Sequence, residues 1–338
     1  TINKSSDYFN TKLYTGNGGT QSITGVGFQP DMVWLKKRSG SGSHYITDAV
    51  RGVNKAIFPD EPNAEYTYSN GVSAFNSDGW TVGDNGGMNG SGATQVGWNW
   101  KANGAGSANT DGSINSTVSA NTTSGFSIVK WTGTGSAGTI GHGLGSAPLI
   151  VLYKSISGSS NWYFYTYQID GSSDELALNL TEGKTDRSLT APTSSLFYVD
   201  GQSERNGSGA TQLAYCFAEK QGYSKFGSYT GNGNADGTFI YTGFSSAFVM
   251  VKRIDSTSDW TIFDNKRSTS GGNNVIDKAL YPNGNWAEGT GTAVDFTSTG
   301  FKWRVNSSAY NGSGSSYIYM AFAKAPLVGT NNVPANAR

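Results

Sequence analysis

The chain has 338 residues with 24 basic and 24 acidic side chains, and charged residues make up only 14% of it. This balance gives no electrostatic footprint for nucleic acid or an anionic membrane, and no apolar run approaches the length of a membrane span. The 9 Trp, 18 Tyr and 16 Phe residues argue against disorder, because such side chains need burial or a partner. The single cysteine, Cys216, excludes an internal disulfide and is expected to be a small buried hydrophobe.

Short apolar or alternating runs are separated by clusters of Gly, Asn, Asp and Ser, while helical periodicity is almost absent. This pattern predicts an all-β fold. Several landmarks recur in one order over a period of about a hundred residues, which predicts three related small domains. We therefore expect three tandem β-sandwich repeats, with either a jelly-roll (concanavalin-like) or an immunoglobulin-like strand order.

The landmarks divide the chain into a first segment (1–103), a second segment (125–225) and a third segment (226–326). Residues 104–124 are rich in Gly, Ser, Thr and Asn, and are expected to form either a linker or an edge strand. Residues 327–338 are expected to form a C-terminal tail. The second and third segments join almost directly, which favours a semi-rigid rod.

In each segment the first strand is predicted to end at a turn made of an aromatic residue followed by Thr-Gly. A strongly apolar strand ending in a lysine comes next, followed by an aromatic strand, a later hairpin strand and a closing strand. An Asn-Gly-Ser-Gly turn precedes the closing strand, since its glycines permit positive φ. The heptapeptide Asn-Gly-Ser-Gly-Ala-Thr-Gln occurs at 89–95 and 206–212 and returns loosely at 311–317; the equivalent lysines are Lys36, Lys154 and Lys252.

Two Asp/Arg pairs are the most specific charged feature. Asp48 and Arg51 of the first segment correspond to Asp264 and Arg267 of the third, and the second segment has no such pair. The spacing favours an ion pair that pins a short turn. The alternative is a pair that contacts a glycan or a partner protein in two segments.

Among the aromatic residues, Trp286 is the best candidate for an exposed contact with a glycan or a partner. It lies in the loop Asn-Gly-Asn-Trp at 283–286, and the first segment has no aromatic residue at that place. The other tryptophans mostly occupy strand positions shared between segments, and such recurring aromatics more often build cores.

No arrangement of residues predicts catalysis, a metal site or a cofactor. His44 and His142 fall at unrelated places and lack the pattern of a triad. The acidic run at 170–175 faintly resembles a calcium loop, but a solvated turn is the better interpretation. The recurring carboxylates stand beside Arg or Ala and give no opposed pair for glycoside hydrolysis. The expectation is a protein that is not an enzyme.

Four longer phrases carry a resemblance to a known group of proteins: Ser-Ala-Asn-Thr-Thr-Ser-Gly-Phe-Ser-Ile-Val at 119–129, Gly-His-Gly-Leu-Gly-Ser-Ala-Pro at 141–148, Gly-Tyr-Ser-Lys-Phe-Gly-Ser-Tyr-Thr-Gly-Asn-Gly at 222–233, and Met-Ala-Phe-Ala-Lys-Ala-Pro at 320–326. Over nearly its whole length the chain resembles a repeat domain of structural proteins of marine tailed bacteriophages, including tail-fibre-like and virion-associated proteins. The resemblance implies a location on the particle exterior after assembly in the host cytoplasm. It supplies no catalytic residues.

The function expected is that of a non-enzymatic virion protein, a fibre or spike component whose tandem modules attach to host-surface glycans. The alternative is a purely architectural capsid-decoration or tail protein that binds only other virion subunits. The expected partners are other virion proteins, further copies of this chain (a trimer, for example) and host glycans. Neither nucleic-acid binding nor membrane insertion is expected.

Overall fold

The computed structural model describes residues 2–269 and 275–326, so the predicted tail at 327–338 lies outside the described residues. The prediction of an all-β protein is confirmed: antiparallel sheets account for the fold. A 3-10 helix at Ser5–Asp7 and two four-residue α-helices are the helical elements in the described ranges. None of these helices is long and apolar enough to cross a membrane.

The first segment consists of two sheets that share a core containing Ile23, Leu35 and Trp80. One sheet has the order β1-β9-β3-β4 and the other has the order β2-β8-β7, with a small β5-β6 ladder beside them. The elements are β1 (Phe9–Thr15), β2 (Gln21–Thr24), β3 (Met32–Lys37), β4 (His44–Asp48), β5 (Lys55–Ala56), β6 (Tyr66–Thr67), β7 (Val72–Asn76), β8 (Gly79–Val82), α1 (Gly86–Asn89) and β9 (Thr94–Trp100).

In the second segment an eight-stranded sheet faces a two-stranded one, and the stretch 104–124 supplies two strands at the edge of the large sheet. The orders are β10-β11-β12-β19-β14-β15-β16-β17 and β13-β18. The elements are β10 (Ser107–Asn109), β11 (Ser116–Asn121), β12 (Phe126–Thr132), β13 (Gly138–Gly141), β14 (Ile150–Ser155), β15 (Tyr163–Thr166), β16 (Ser173–Ala177), β17 (Thr185–Arg187), β18 (Leu196–Val199), α2 (Ser203–Asn206) and β19 (Thr211–Phe217).

The third segment again has two facing sheets, with the orders β20-β27-β22-β23 and β21-β26-β25-β24. Its first sheet follows the same order of landmarks as the sheets β1-β9-β3-β4 and β12-β19-β14-β15. The elements are β20 (Ser224–Thr230), β21 (Phe239–Tyr241), β22 (Phe244–Arg253), β23 (Trp260–Asp264), β24 (Val275–Ala279), β25 (Gly289–Phe296), β26 (Gly300–Trp303) and β27 (Ser316–Pro326).

The sheets that contain the closing strands β9, β19 and β27 are buried on both faces. In β27, for example, Tyr319 and Ala321 point into the core of the third segment, while Met320 and Phe322 point the other way. Strands buried on both faces carry nearly continuous apolar runs, and these strands do.

The outer faces of these three sheets meet in one common core. Phe322 of the third segment lies 5.1 Å from Phe9 and 6.1 Å from Phe217, measured between ring centroids, so all three segments contact one another there. An apolar cavity of about 20 Å³ lies among them. The expectation of a semi-rigid rod is therefore wrong, because a rod would leave a second apolar face of each sheet exposed.

In each segment, the aromatic-Thr-Gly turn after the first strand is hydrogen-bonded to the Asn-Gly-Ser-Gly turn before the closing strand. The buried Asn89 donates to Gly19 O at 2.6 Å and to Gly83 O at 2.9 Å, and its Oδ1 accepts from the Asn17 amide at 3.2 Å. Asn206 and Asn311 make equivalent bonds in the other segments. A Cβ on Gly16 would lie 2.2 Å from Gly90 O, which explains the glycine there. The motifs therefore tie the first strand to the closing strand.

Candidate functional site at the contacts between segments

In each segment, a loop from another segment packs against the region that follows the apolar strand. We call the donated stretches 58–65, 177–184 and 281–288 the docking loops. The first segment receives the docking loop of the third, the second receives that of the first, and the third receives that of the second, so the contacts form a closed ring. Equivalent backbone bonds of 2.8 Å mark it: Gly42 N to Asn285 O, Ser160 N to Pro62 O, and Ser258 N to Thr181 O.

The three equivalent lysines are fully buried at these contacts, with 0% of each residue exposed. Lys36 Nζ donates to Trp286 O at 2.7 Å, and Lys154 Nζ donates to Pro62 O at 3.1 Å. Lys252 Nζ bonds the carbonyl of Arg253 and lies near Glu182 of the second docking loop. Burial lowers the pKa of each lysine to about 8. Carbonyl groups of the docking loops thus replace water around the Lys36 and Lys154 ammonium ions.

A ring nitrogen reinforces each contact. Trp162 Nε1 donates to Phe58 O at 2.7 Å, and Trp260 Nε1 donates to Ala177 O at 2.9 Å. His44 stands at the corresponding place in the first segment, with Nε2 2.9 Å from Tyr281 O and Nδ1 2.9 Å from Trp34 Nε1. Burial holds the pKa of His44 well below its usual value. The neutral imidazole accepts from Trp34 and donates to Tyr281, which is a structural role.

The Asp/Arg pairs lie inside the protein. Arg51 Nε is 2.5 Å from Asp48 Oδ2 and Arg267 Nε is 2.5 Å from Asp264 Oδ2, and all four side chains are at most 1% exposed. The aspartates also accept from the amides of Arg51 and Arg267, which closes each turn. Neither pair offers a surface to a ligand in this arrangement.

The aspartates also join one segment to another. Tyr215 of the second segment donates to Asp48 Oδ2 at 2.7 Å, and Trp98 of the first segment donates to Asp264 Oδ2 at 3.0 Å. The equivalent closing-strand residue of the third segment is Met320, which has no such donor, and the second segment has no aspartate at the equivalent place. The pair is thus present where the neighbouring segment supplies a hydrogen-bond donor.

A charged residue stands at the far end of each docking loop, and at Glu288 its ion pairs cross to another segment. Glu288 accepts from Arg38 at 2.8 and 2.9 Å and from Arg267 at 3.1 Å. Glu65 pairs with Arg51 at 3.1 Å. In the second segment the charge is reversed: Lys184 replaces the glutamate.

Lys184 is the ion-pair partner of two aspartates in the acidic run at 170–175. Its Nζ lies 2.7 Å from Asp170, 2.7 Å from Asp174 and 2.6 Å from Asp186. Asp186, which lies outside the run in the sequence, joins Asp170 and Asp174 around this ammonium group. The ammonium occupies the place among these oxygens where a metal ion would sit.

Trp286 lies on a docking loop with 49% of the residue exposed. Its carbonyl binds Lys36, while its ring packs edge-on against Tyr281, with 5.5 Å between the centroids. The backbone of this residue therefore serves the contact between segments, and the side chain remains available to a ligand.

Sequence reasoning did not identify Lys36, Lys154 and Lys252 as functional residues. It used them as markers of register, and an isolated lysine normally indicates an exposed position. Their recurrence at the end of the most apolar strand was the available signal. Cys216, by contrast, is buried as expected, and burial raises the pKa of its thiol to about 12.

Comparison with known protein families shows the family to which the chain belongs. A family model described as "Domain of unknown function (DUF7483)" matches residues 4–326, a single match that spans all three segments. A comparison with curated proteins finds no match. The chain is therefore a member of the DUF7483 family.

Proposed function

We propose that this chain is a non-enzymatic structural protein of a tailed-phage virion, a fibre or spike component on the particle exterior that attaches to host-surface glycans. In this proposal the three segments are related β-sandwich modules that one chain closes into a ring. The closed ring carries the proposal. The recurring lysines and Asp/Arg pairs are buried at the contacts between segments, so recognition falls to the exposed surface, where Trp286 stands.

Several shallow contacts on one rigid body suit attachment, because multivalent binding gains strength without a deep pocket. A half-exposed tryptophan suits such a contact, since its ring presents a large face at little entropic cost. Trp286 is held by its own backbone bond to Lys36 rather than by burial of its ring. Its side chain can therefore be replaced without breaking the contact between segments.

The architectural alternative is favoured by a different observation. Phe239 and Tyr241 on the edge strand β21 are 46% and 62% exposed, whereas the first segment has Ser22 and Thr24 on its equivalent strand β2. Exposed aromatics on an edge strand fit a contact with another protein. In this alternative that protein is a neighbouring virion subunit.

Two measurements test the proposal. An antibody against the purified chain should label the exterior of particles of a phage that encodes it, and unlabelled, intact particles that lack the chain by mass spectrometry would contradict virion location. Fluorescent chain should bind host cells saturably, and Trp286→Ala should weaken the binding. Labelled particles together with chain that binds no host cell would favour the architectural alternative.

A further inference from the structure

We propose that a groove in the second segment, between Tyr163 and Glu204, binds a neutral saccharide of the host surface. This inference rests on the proposed function and names a site for it. The groove has a volume of about 720 Å³ and lies between the loop 157–161, the helix α2 and Pro62 of the first docking loop. That volume falls within the range of small-molecule sites.

The lining of the groove is polar and rich in hydroxyl groups. It contains six serines, one asparagine, one tyrosine and one glutamate. Hydroxyl, amide and carboxylate groups are the partners that sugar hydroxyls require, because each hydroxyl both donates and accepts. The residues that line the groove include neither lysine nor arginine. This composition favours a hydroxyl-rich, uncharged ligand over a phosphate or a polyanion.

Tyr163 and Glu204 both line the groove. Burial raises the pKa of the Tyr163 hydroxyl, the neighbouring Glu204 carboxylate raises it further, and a hydrogen bond with Asn161 lowers it. The Arg205 guanidinium lies 5.7 Å from the centre of the Tyr163 ring and fixes the ring from one side. Arg205 is itself held by Asp200 at 2.6 Å and by Glu175 at 3.0 Å. The tyrosine is therefore held in place before a ligand arrives, which favours affinity.

The first segment has a close packing contact at the place where the second segment has the groove. There the equivalent tyrosine, Tyr45, lies over Gly87, and a Cβ on Gly87 would stand 2.3 Å from the Tyr45 hydroxyl oxygen. The second segment has Glu204 in place of Gly87, so its tyrosine cannot occupy that position. A side chain that carries an acceptor thus replaces a close packing contact. The difference is local, since the buried Asn89 and Asn206 fix the following turn alike.

The test uses the full chain on an array of capsular polysaccharides and O-chains from host cells, followed by titration with oligosaccharides cut from any polysaccharide that binds. Tyr163→Phe and Glu204→Gln should each weaken binding about tenfold, the usual effect of one lost hydrogen bond to a polar or charged group. Tyr45→Phe is the matched control and should bind as the unchanged chain does. All three variants should stay folded and unfold within about 4 °C of the unchanged chain, because the largest loss is the bond between Tyr163 and Asn161.

Two results would contradict the proposal that this groove binds a saccharide. One is the absence of saturable binding to any polysaccharide on the array at millimolar sugar. The other is binding that both groove variants retain in full, which would place the site elsewhere. Particle labelling is independent of these results: labelled particles without groove binding defeat this inference alone. Groove binding by a chain that no particle carries defeats virion location alone.

Discussion

Replacing Arg267 by methionine tests whether the Asp264 pair holds two segments together. The substitution removes a 2.5 Å ion pair with Asp264, a 3.1 Å bond to Glu288 and a 2.9 Å bond to Ile262 O. It also removes the guanidinium whose centre lies 5.6 Å from the centroid of the Trp98 ring. Breaking a buried pair from one side costs about 3–5 kcal/mol, because the remaining carboxylate stays buried without a countercharge.

The assay is guanidinium unfolding followed by tryptophan fluorescence, with the slope checked for a single transition. Arg304→Met is the control: Arg304 also pairs with an aspartate in the third segment, but its side chain is 45% exposed, so its loss should cost no more than about 1 kcal/mol. The double variant Asp264→Asn, Arg267→Met should recover much of the loss, since no buried charge is then left unpaired. If Arg267→Met proved as stable as Arg304→Met, the buried pair would not stabilise the contact between segments.

Three further predictions concern other parts of the fold. Because Lys154 has a pKa of about 8 in the folded chain and 10.5 as the ordinary value, the unfolded state binds more protons between these limits. The free energy of unfolding should therefore rise from pH 8 to pH 9.5, by up to about 1.4 kcal/mol per pH unit for this lysine, and Lys154→Met should reduce the slope; a flat profile would contradict it. Gly133→Ala places a Cβ 2.2 Å from Gly207 O and should lower the unfolding temperature, whereas Gly86→Ala, with open space around it, should not; equal effects would count against the turn contact. Cys216 should react with a thiol reagent only after unfolding, because it is buried and its pKa is raised, and fast labelling of the native chain would show otherwise.

The local order of strands could be predicted from the sequence, because it depends on periodicity and turn residues that lie side by side. The hairpin strand predicted before the closing strand of each segment corresponds to β8, β18 and β26. The short helices α1 and α2 were not predicted, since four residues give no periodic pattern. Within the sheets, the apolar positions on both faces of β27 carried information about a second core that the rod interpretation overlooked.

The contacts between segments could not be derived from the sequence. Hydrogen bonds such as Tyr215 to Asp48 span 167 residues, and nothing local to either residue indicates the other. The lysines were misleading for a physical reason: Lys36 is buried because carbonyl groups of a distant loop solvate its charge, and that loop is brought near by the ring as a whole. Trp286 was identified because the first segment has no aromatic residue at the equivalent place. A residue that does not recur is not required for the shared core, and its side chain is half exposed.

Likeness and difference between the segments therefore carry different information. The recurring phrases build the body of the protein: Asn206 and its counterparts bind the turns, and Lys154 and Lys36 bind the docking loops. A resemblance based on such phrases reports a shared architecture, since the same residues would be required whatever the surface recognised. Positions at which one segment differs from the others are not needed to maintain the shared architecture. One such departure is Glu204, where the first and third segments have Gly87 and Ala309, and another is Trp286 in a docking loop; both side chains face solvent. Variation at these positions should change what the protein binds without changing how it folds.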